Sequence, residues 1–452
     1  MRIDPNLRGR LPKVDPATPF ESPDGRFRGW KVTLPGKHAL ATPAIADGLI
    51  FVGGGFGSYD FFALDARDGH LAWHYQTADD GPTAAVVEDG YVVFNTECCE
   101  LEVLTVAGAP VWKQWLGDPL MSTPAVANGR VYMAYPDSKG DHRHHLACFD
   151  LRDGRQYWRQ PIEGELITTP VLAEGHVHFA TLGGTLYRVR QDDGHVEWAE
   201  PKRATSSPVV WEGECFFSQR EEVAEGGVGA PPEAVFQAER LTARKLGAAE
   251  YRHYGATQRK ADYLDHLKRV AGSPRYAASA HRDAAVGFGA AKGDAKMYQA
   301  MANLGTAHVH GVWAYQGSKP FVSRGTLYAA QGDHVSSADP RSDQVHWKKI
   351  LGEKPEGDPD LLDSPLTPPA IVNGKLFLGS ALGKVHCLNA ETGDELWSVS
   401  VGEPVIFQPA VAGGRVYVGT DAGSVICLET GDPADDGWFM WGADASHNGR
   451  LT

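Results

Sequence analysis

No stretch of this 452-residue chain is apolar over the length a membrane-crossing helix needs. Cysteine is scarce, six in all, and none falls in a CxxC, CxxCH or zinc-type spacing, so no zinc ribbon and no covalently attached haem is expected. Positive charge is in deficit: 43 Lys and Arg face 57 Asp and Glu, a net charge of −14, and no basic stripe is interleaved with aromatics. That argues against a nucleic-acid partner. The N-terminal stretch MRIDPNLRGRLPKVDP has charges but no apolar centre, so no secretory signal is read there. A phosphate-binding GxGxxG between strand and helix is missing, as is a Ser/His/Asp elbow.

Glycine is abundant, 52 residues, and its placement is periodic. One pattern recurs eight times: a short apolar strand, a two-residue turn ending in glycine, a second apolar strand and later a tryptophan. The turn glycines are Gly48, Gly90, Gly129, Gly175, Gly213, Gly325, Gly374 and Gly414. Seven have a proline five residues earlier: Pro43, Pro124, Pro170, Pro208, Pro320, Pro369 and Pro409. Successive glycines lie 38 to 49 residues apart, except for a gap of 112 between Gly213 and Gly325. Tryptophans follow at Trp73, Trp112, Trp158, Trp198, Trp347 and Trp397. A period near 40 with four short strands per unit is the mark of a β-propeller.

Two units lack that tryptophan. The last unit has three evident strands, and the N-terminal stretch DGRFRGWKVTL supplies an orphan outer strand with Trp30, which would close the ring and hide the sheet edges. The fifth unit is interrupted after SPVVWEGECFFSQ, and VHGVWAYQG with Trp313 is assigned as its outer strand. The expectation is an all-β fold: an eight-bladed propeller of four-stranded antiparallel blades, closed by an N-terminal strand, with a mostly helical insertion in blade 5. The organisation reads as an arm (1–23), the closing strand and blades to mid-blade 5 (24–219), an insertion or lid (220–306), the rest of blade 5 and blades 6–8 (307–430), and a Trp-rich C-terminal cap (431–452). In the insertion, Tyr263, Leu267 and Val270 share one helical stripe of 258–271, and AKMYQAMANL is a second helical candidate.

The units ALDARDGHLAW, CFDLRDGRQYW and CLNAETGDELW resemble the pyrroloquinoline-quinone (PQQ) repeat family, with its order of Asp, turn, Gly and Trp. The resemblance spans nearly all of the chain outside 220–306. It implies the propeller fold, but the family holds both quinoprotein alcohol dehydrogenases and non-catalytic scaffolds such as the outer-membrane assembly lipoprotein. Fold and function separate here. The tail GWFMWGADASHNG resembles Trp-rich tails of PQQ-like propellers and reads as a cap, with Trp438 and Trp441 packed on the closure seam. The resemblance leans towards a periplasmic setting.

In a four-stranded meander, first-to-second and third-to-fourth turns emerge on one face, and second-to-third turns and blade links on the other. The first face has tight turns. The second is irregular: GGGFGSYD (53–60), Thr96-Glu97-Cys98-Cys99, PDSKGDHRHH (136–145) and a long link between units 6 and 7. Loops on a rigid scaffold carry binding, so function is expected on this decorated face and in the channel mouth.

Cys98 and Cys99 have two readings. A disulfide between them must close across one trans peptide, with Cα atoms about 3.8 Å apart, less than the usual span, and would be strained and readily reduced. The other reading is two free thiols. Quinoprotein alcohol dehydrogenases carry a vicinal disulfide beside their quinone, although the surrounding sequence differs here. Cys148, Cys387 and Cys427 share one third-strand position and read as small core residues, as does Cys215 in a second strand. His308 and His310 alternate on one strand side, and His142, His144 and His145 share a loop, so both groups are candidate copper or zinc ligands. His176 and His178 read as packing or surface residues. Two functions follow. One is a binding or scaffold module that uses the decorated face for a protein or peptide. The other is a quinone- or metal-dependent oxidoreductase under the 220–306 lid, with PQQ and calcium, or copper, near Cys98, Cys99 and Trp313.

Overall fold

The structure, a computed structural model, describes residues 13–117, 122–136, 144–164, 166, 168–202, 204–224, 235–242, 318–331, 334–342, 344–351 and 366–449. Seven four-stranded blades are complete. Blade I is Ala44–Ala46, Leu49–Gly53, Asp60–Asp65 and Leu71–Gln76; blades II, III and IV repeat this order over 86–115, 125–162 and 171–201. Blades V and VI span 321–350 and 370–400. In blade VII, Ala410–Ala412, Arg415–Gly419 and Ser424–Glu429 are joined by the N-terminal strand Arg28–Thr33, which pairs antiparallel with Ser424–Glu429 and closes the ring. A fifth strand, Thr18–Glu21, covers its outer edge.

The expectation of eight four-stranded blades with a helical insertion is corrected: seven blades are complete. The fifth sequence unit forms a three-stranded sheet of Val209–Trp211, Glu214–Ala224 and Val235–Thr242, and no helix occurs among the described residues. The reason lies in its second strand. It runs on for 11 residues, and Val235–Thr242 pairs only with its far part, from Phe217↔Thr242 to Ala224↔Val235. This hairpin lies beyond the stretch paired to Val209–Trp211. The helical candidates 258–271 and 295–304, and the outer strand assigned around Trp313, lie outside the described residues.

Each blade begins with a three-residue strand of small or β-branched side chains, AIA, VVE, AVA, VLA, FVS, AIV and AVA. Side-chain bulk then increases outward, which fills a wedge-shaped blade. The turns joining first and second strands put two residues at positive φ, as Asp47 (51°) and Gly48 (74°), the geometry of a type I′ hairpin. In the third strands Ala63, Cys148 and Cys387 pair directly with Trp73, Trp158 and Trp397, so the small side chains sit beneath the large ones.

Neighbouring blades are joined by the tryptophans. Trp73, Trp112, Trp158 and Trp347 each lie on the turn glycine of the next blade, so that a Cβ added at Gly108, Gly154, Gly194 or Gly393 would meet an indole atom at 2.6–2.8 Å. Each indole also donates to a carbonyl of that turn: Trp73 to Val106 (3.0 Å), Trp112 to Leu151 (2.8 Å), Trp158 to Gln191 (3.0 Å) and Trp347 to Ala390 (3.0 Å). At the closure Trp30 packs on Gly69 in the same way, but the Ala66 carbonyl is taken by the Tyr417 hydroxyl (2.9 Å) and the Trp30 indole N–H has no partner.

This contact predicts different costs for two alanine substitutions at positive φ. Gly129→Ala meets open space and costs about 1–2 kcal/mol of backbone strain. Gly154→Ala carries that strain and also displaces Trp112, adding about 1–3 kcal/mol. In urea unfolding Gly154→Ala should show the lower midpoint; equal midpoints would contradict the docking.

Candidate functional site

Five inner strands each direct one backbone N–H to the C-terminal segment. Val411 and Trp438 exchange two backbone hydrogen bonds, and Ile45 donates to Phe439 O (2.7 Å), Val126 to Ala445 O (2.8 Å) and Leu172 to Ser446 O (2.9 Å). Asn448 pairs its side-chain amide with both the N–H and the carbonyl of Val210 (2.7 and 3.0 Å). Residues 438–448 thus bridge blades VII, I, III, IV and the three-stranded sheet. Trp438, Trp441 and His447 are fully buried. The segment enters from the tight-turn face, where Gly414 N–H donates to Asp435 O (2.9 Å) and Lys375 binds Asp432 and Asp435.

Lys319 anchors this filling. Its ammonium donates to Pro208 O (3.1 Å) and His447 O (2.7 Å) and lies over the Phe321 and Trp441 rings, 5.3 and 5.6 Å from their centroids. Burial pulls its pKa well below the usual lysine value, and the carbonyls and ring faces offset that cost. The residue preceding the inner-strand proline is Thr42, Thr123, Thr169, Ser207, Pro368 or Gln408 elsewhere. A lone lysine at this repeat position is the sequence signal that could have marked it.

The decorated face is open beside blade I, where residues 35–38 after the closing strand face the blade I loop. A half-open cleft of about 620 Å³ is lined by residues including His38, Ser58, Tyr59, Asp60, Gln76 and Thr77. The chain fixes its floor by backbone bonds: Thr77 N–H to Tyr59 O (2.9 Å), Gly81 N–H to Ser58 O (2.8 Å) and Glu97 N–H to Asp80 O (2.8 Å). Asp60 also holds His74 at 2.7 Å. Tyr59 is 49% exposed, and its phenol pKa is raised, first by Asp80 and then by burial, with Asp79 and Glu97 adding to it. Asp79 and Asp80, both part-exposed, place negative charge beside Tyr59, while Glu97 is buried beneath them.

Cys98 sits half-buried near the rim of this cleft and Cys99 is buried beneath it; neither is in a disulfide. Cys98 N–H donates to Asp79 Oδ2 (2.7 Å), and Cys99 turns the chain at φ 56°. Burial and the neighbouring Asp79 push the Cys98 thiol pKa far up, which disfavours the thiolate. His145 is buried against Tyr135, with ring centroids 5.9 Å apart, and His144 is half-buried beside it. His142, His308, His310 and Trp313 lie outside the described residues. Among the described residues no three His, Cys, Asp or Glu side chains are placed to hold a metal ion. The tight-turn half of the channel is occupied by the chain's own indoles. The indoles fill the space a quinone would need at that end of the channel.

Beneath the rim, Glu102 is buried between blades I and II. Tyr75 donates to its Oε2 (2.5 Å), and its Oε1 has no partner. Burial raises the Glu102 pKa to about 7, with Tyr75 and Lys113 opposing and Glu100 and Asp79 adding to the rise.

The profile of a protein family described as outer membrane protein assembly factor BamB matches residues 20–107, 100–333 and 331–447. Among solved structures, BamB from Moraxella catarrhalis is similar at TM-score 0.53 and 12% identity, covering 91% of this chain and 99% of that one. Sqt1 from Saccharomyces cerevisiae matches at TM-score 0.55 and 11% identity, covering 92% and 98%. The quinohemoprotein alcohol dehydrogenase ADHIIG from Pseudomonas putida HK5 matches at 0.52 and 13%, covering 89% of this chain and 76% of that one. At these identities the likeness is one of fold. No curated protein matches the chain.

The Glu102 pair predicts a pH dependence. A carboxyl whose folded pKa is raised from 4.5 to about 7 contributes stability that is present below 4.5 and is lost as pH rises through 7. Wild type should lose about 3 kcal/mol between roughly pH 4 and pH 8 from this group. Glu102→Gln should remove that component in denaturant titrations at each pH; an unchanged pH profile would contradict the assignment.

Proposed function

We propose a protein-docking role for this chain, which belongs to the PQQ-repeat family described as outer membrane protein assembly factor BamB. The partner is a positively charged segment of another protein, received on the decorated face in the cleft beside blade I. One observation carries this reading: the two ends of the ring are unequal. The tight-turn end is occupied by the chain's own residues 438–448, while the opposite face presents a cleft with an exposed tyrosine and a carboxylate rim. An aromatic anchor with charges around it suits a protein interface, and the acidic rim favours a basic partner and rapid, salt-sensitive association. The family is described as an outer membrane protein assembly factor, and that description supports a partner-binding rather than a substrate-turning role.

The oxidoreductase reading rests on the family's quinoprotein members, and no geometry among the described residues favours it.

The test is capture of partners by the purified protein from its host, with Asp80→Asn and Tyr59→Ala combined in one variant. Asp89→Asn, in a tight turn on the other face, is the control. The combined variant should bind about tenfold more weakly, raised salt should weaken wild type towards it, and the control should match wild type. Undiminished capture by the combined variant would sink the assignment of this face.

A further inference from the structure

Seven of the eight tight turns between first and second strands carry a carboxylate, an amide or glycine at the left-handed position before the turn glycine: Asp47, Asp89, Asn128, Glu174, Glu212, Asn373 and Gly413. Blade V has Arg324, at φ 49°. Asn, Asp and Gly tolerate this conformation best, so arginine gains nothing conformationally there. A residue held in a costly backbone region calls for a chemical reason.

Arg324 lines a half-open cleft of about 660 Å³ between blades V and VI, on the face opposite the acidic cleft. Ser323, Thr326, Tyr328, Ser337 and Glu391 line it as well. Ser337 adds a polar group to the cleft. It pairs with Trp347 at the third-strand position that holds Ala63, Val103, Cys148, Cys387 and Cys427 in five other blades and Arg188 in blade IV. Its hydroxyl lies 3.4 Å from His346 Nδ1. Hydroxyls thus stand inside the cleft, and two opposite charges stand at its exposed rim. Among the described residues, neither the Arg324 guanidinium nor the Glu391 carboxylate has a hydrogen-bond or ion-pair partner. The corresponding gap between blades VI and VII is different: there Lys375 and Asn373 are engaged by Asp432 and Asp435.

We propose that the cleft between blades V and VI binds a zwitterionic small molecule of the amino-acid or dipeptide class. Its carboxylate pairs with Arg324, which offers a bidentate fork. Its ammonium meets Glu391, and its amide or polar side chain meets the hydroxyls of Ser323 and Thr326. Glu391 on the same rim repels a dianion, which disfavours a phosphate ligand. The volume falls within the range of small-molecule sites, about 300–1,000 Å³. The site is independent of the decorated face, so failure of one leaves the other standing.

Isothermal titration of the full chain with alanyl-alanine, its N-acetyl form and its C-terminal amide tests the site. The free dipeptide should bind saturably, and blocking either terminus should weaken binding about tenfold or more. Arg324→Asn installs the residue that blades III and VI already use at this turn. It should keep the thermal midpoint and abolish discrimination against the amide. Glu391→Gln should abolish discrimination against the acetylated form. No saturable binding in the millimolar range, equal affinity for all three probes, or unchanged discrimination in Arg324→Asn would each overturn the proposal.

Discussion

An indole laid on a glycine of the next blade is the contact on which this ring depends. The glycine must lack a side chain for the ring to approach, and the carbonyl beside it must point at the indole nitrogen. Each contact combines the burial of a large apolar surface with one hydrogen bond, roughly 1 kcal/mol for the bond alone. Because the contact is made by one blade and received by the next, blades cannot pack in isolation. A chain built this way needs its ends joined, and the N-terminal strand with Trp30 provides the join. The closure is imperfect in one respect: Tyr417 takes the carbonyl that the repeat would give to Trp30.

The three-stranded sheet is the other irregular place, and polar groups gather beside it. Lys319 ties Pro208 to His447, Asn448 grips both backbone groups of Val210, and Ser218 and Ser318 bond to one another. Such buried networks contribute most when every member is satisfied, and each of these groups has a partner. The C-terminal segment therefore does more than cover a seam. It links the inner strands across the ring, including the sector where the indole-on-glycine contact is not found among the described residues.

Much of this was legible in the chain because the repeat is written in residues with few conformational options. Glycine at positive φ, proline before the inner strand and tryptophan on the outer one fix turns, spacing and register. The fifth unit misled because its second strand continues through the polar text SQREE, which reads as the end of a strand, and only pairing along Phe217–Ala224 shows that it runs on. The role of the tail was half visible: two tryptophans in GWFMWGADASHNG announce burial, but backbone donors spread over five sheets leave no trace in composition. Glu102 was missed for a physical reason. In ELEVLT a carboxylate reads as solvent-facing, whereas both faces of a propeller blade are covered by neighbours. Cys98 and Cys99 drew attention by adjacency, yet their setting beside Asp79 opposes the thiolate that redox chemistry would need.

The central claim is that the chain occupies its own channel and leaves the decorated face as the docking surface. Amide hydrogen exchange on the intact protein tests it most directly. The account predicts that Ile45, Val126, Leu172, Val210 and Val411, each in a strand of only three residues, exchange as slowly as the second strands beside them, and that 438–448 is protected with them. Exchange of these amides and of the C-terminal segment as rapid as that of the exposed turn at Asp89-Gly90 would contradict it.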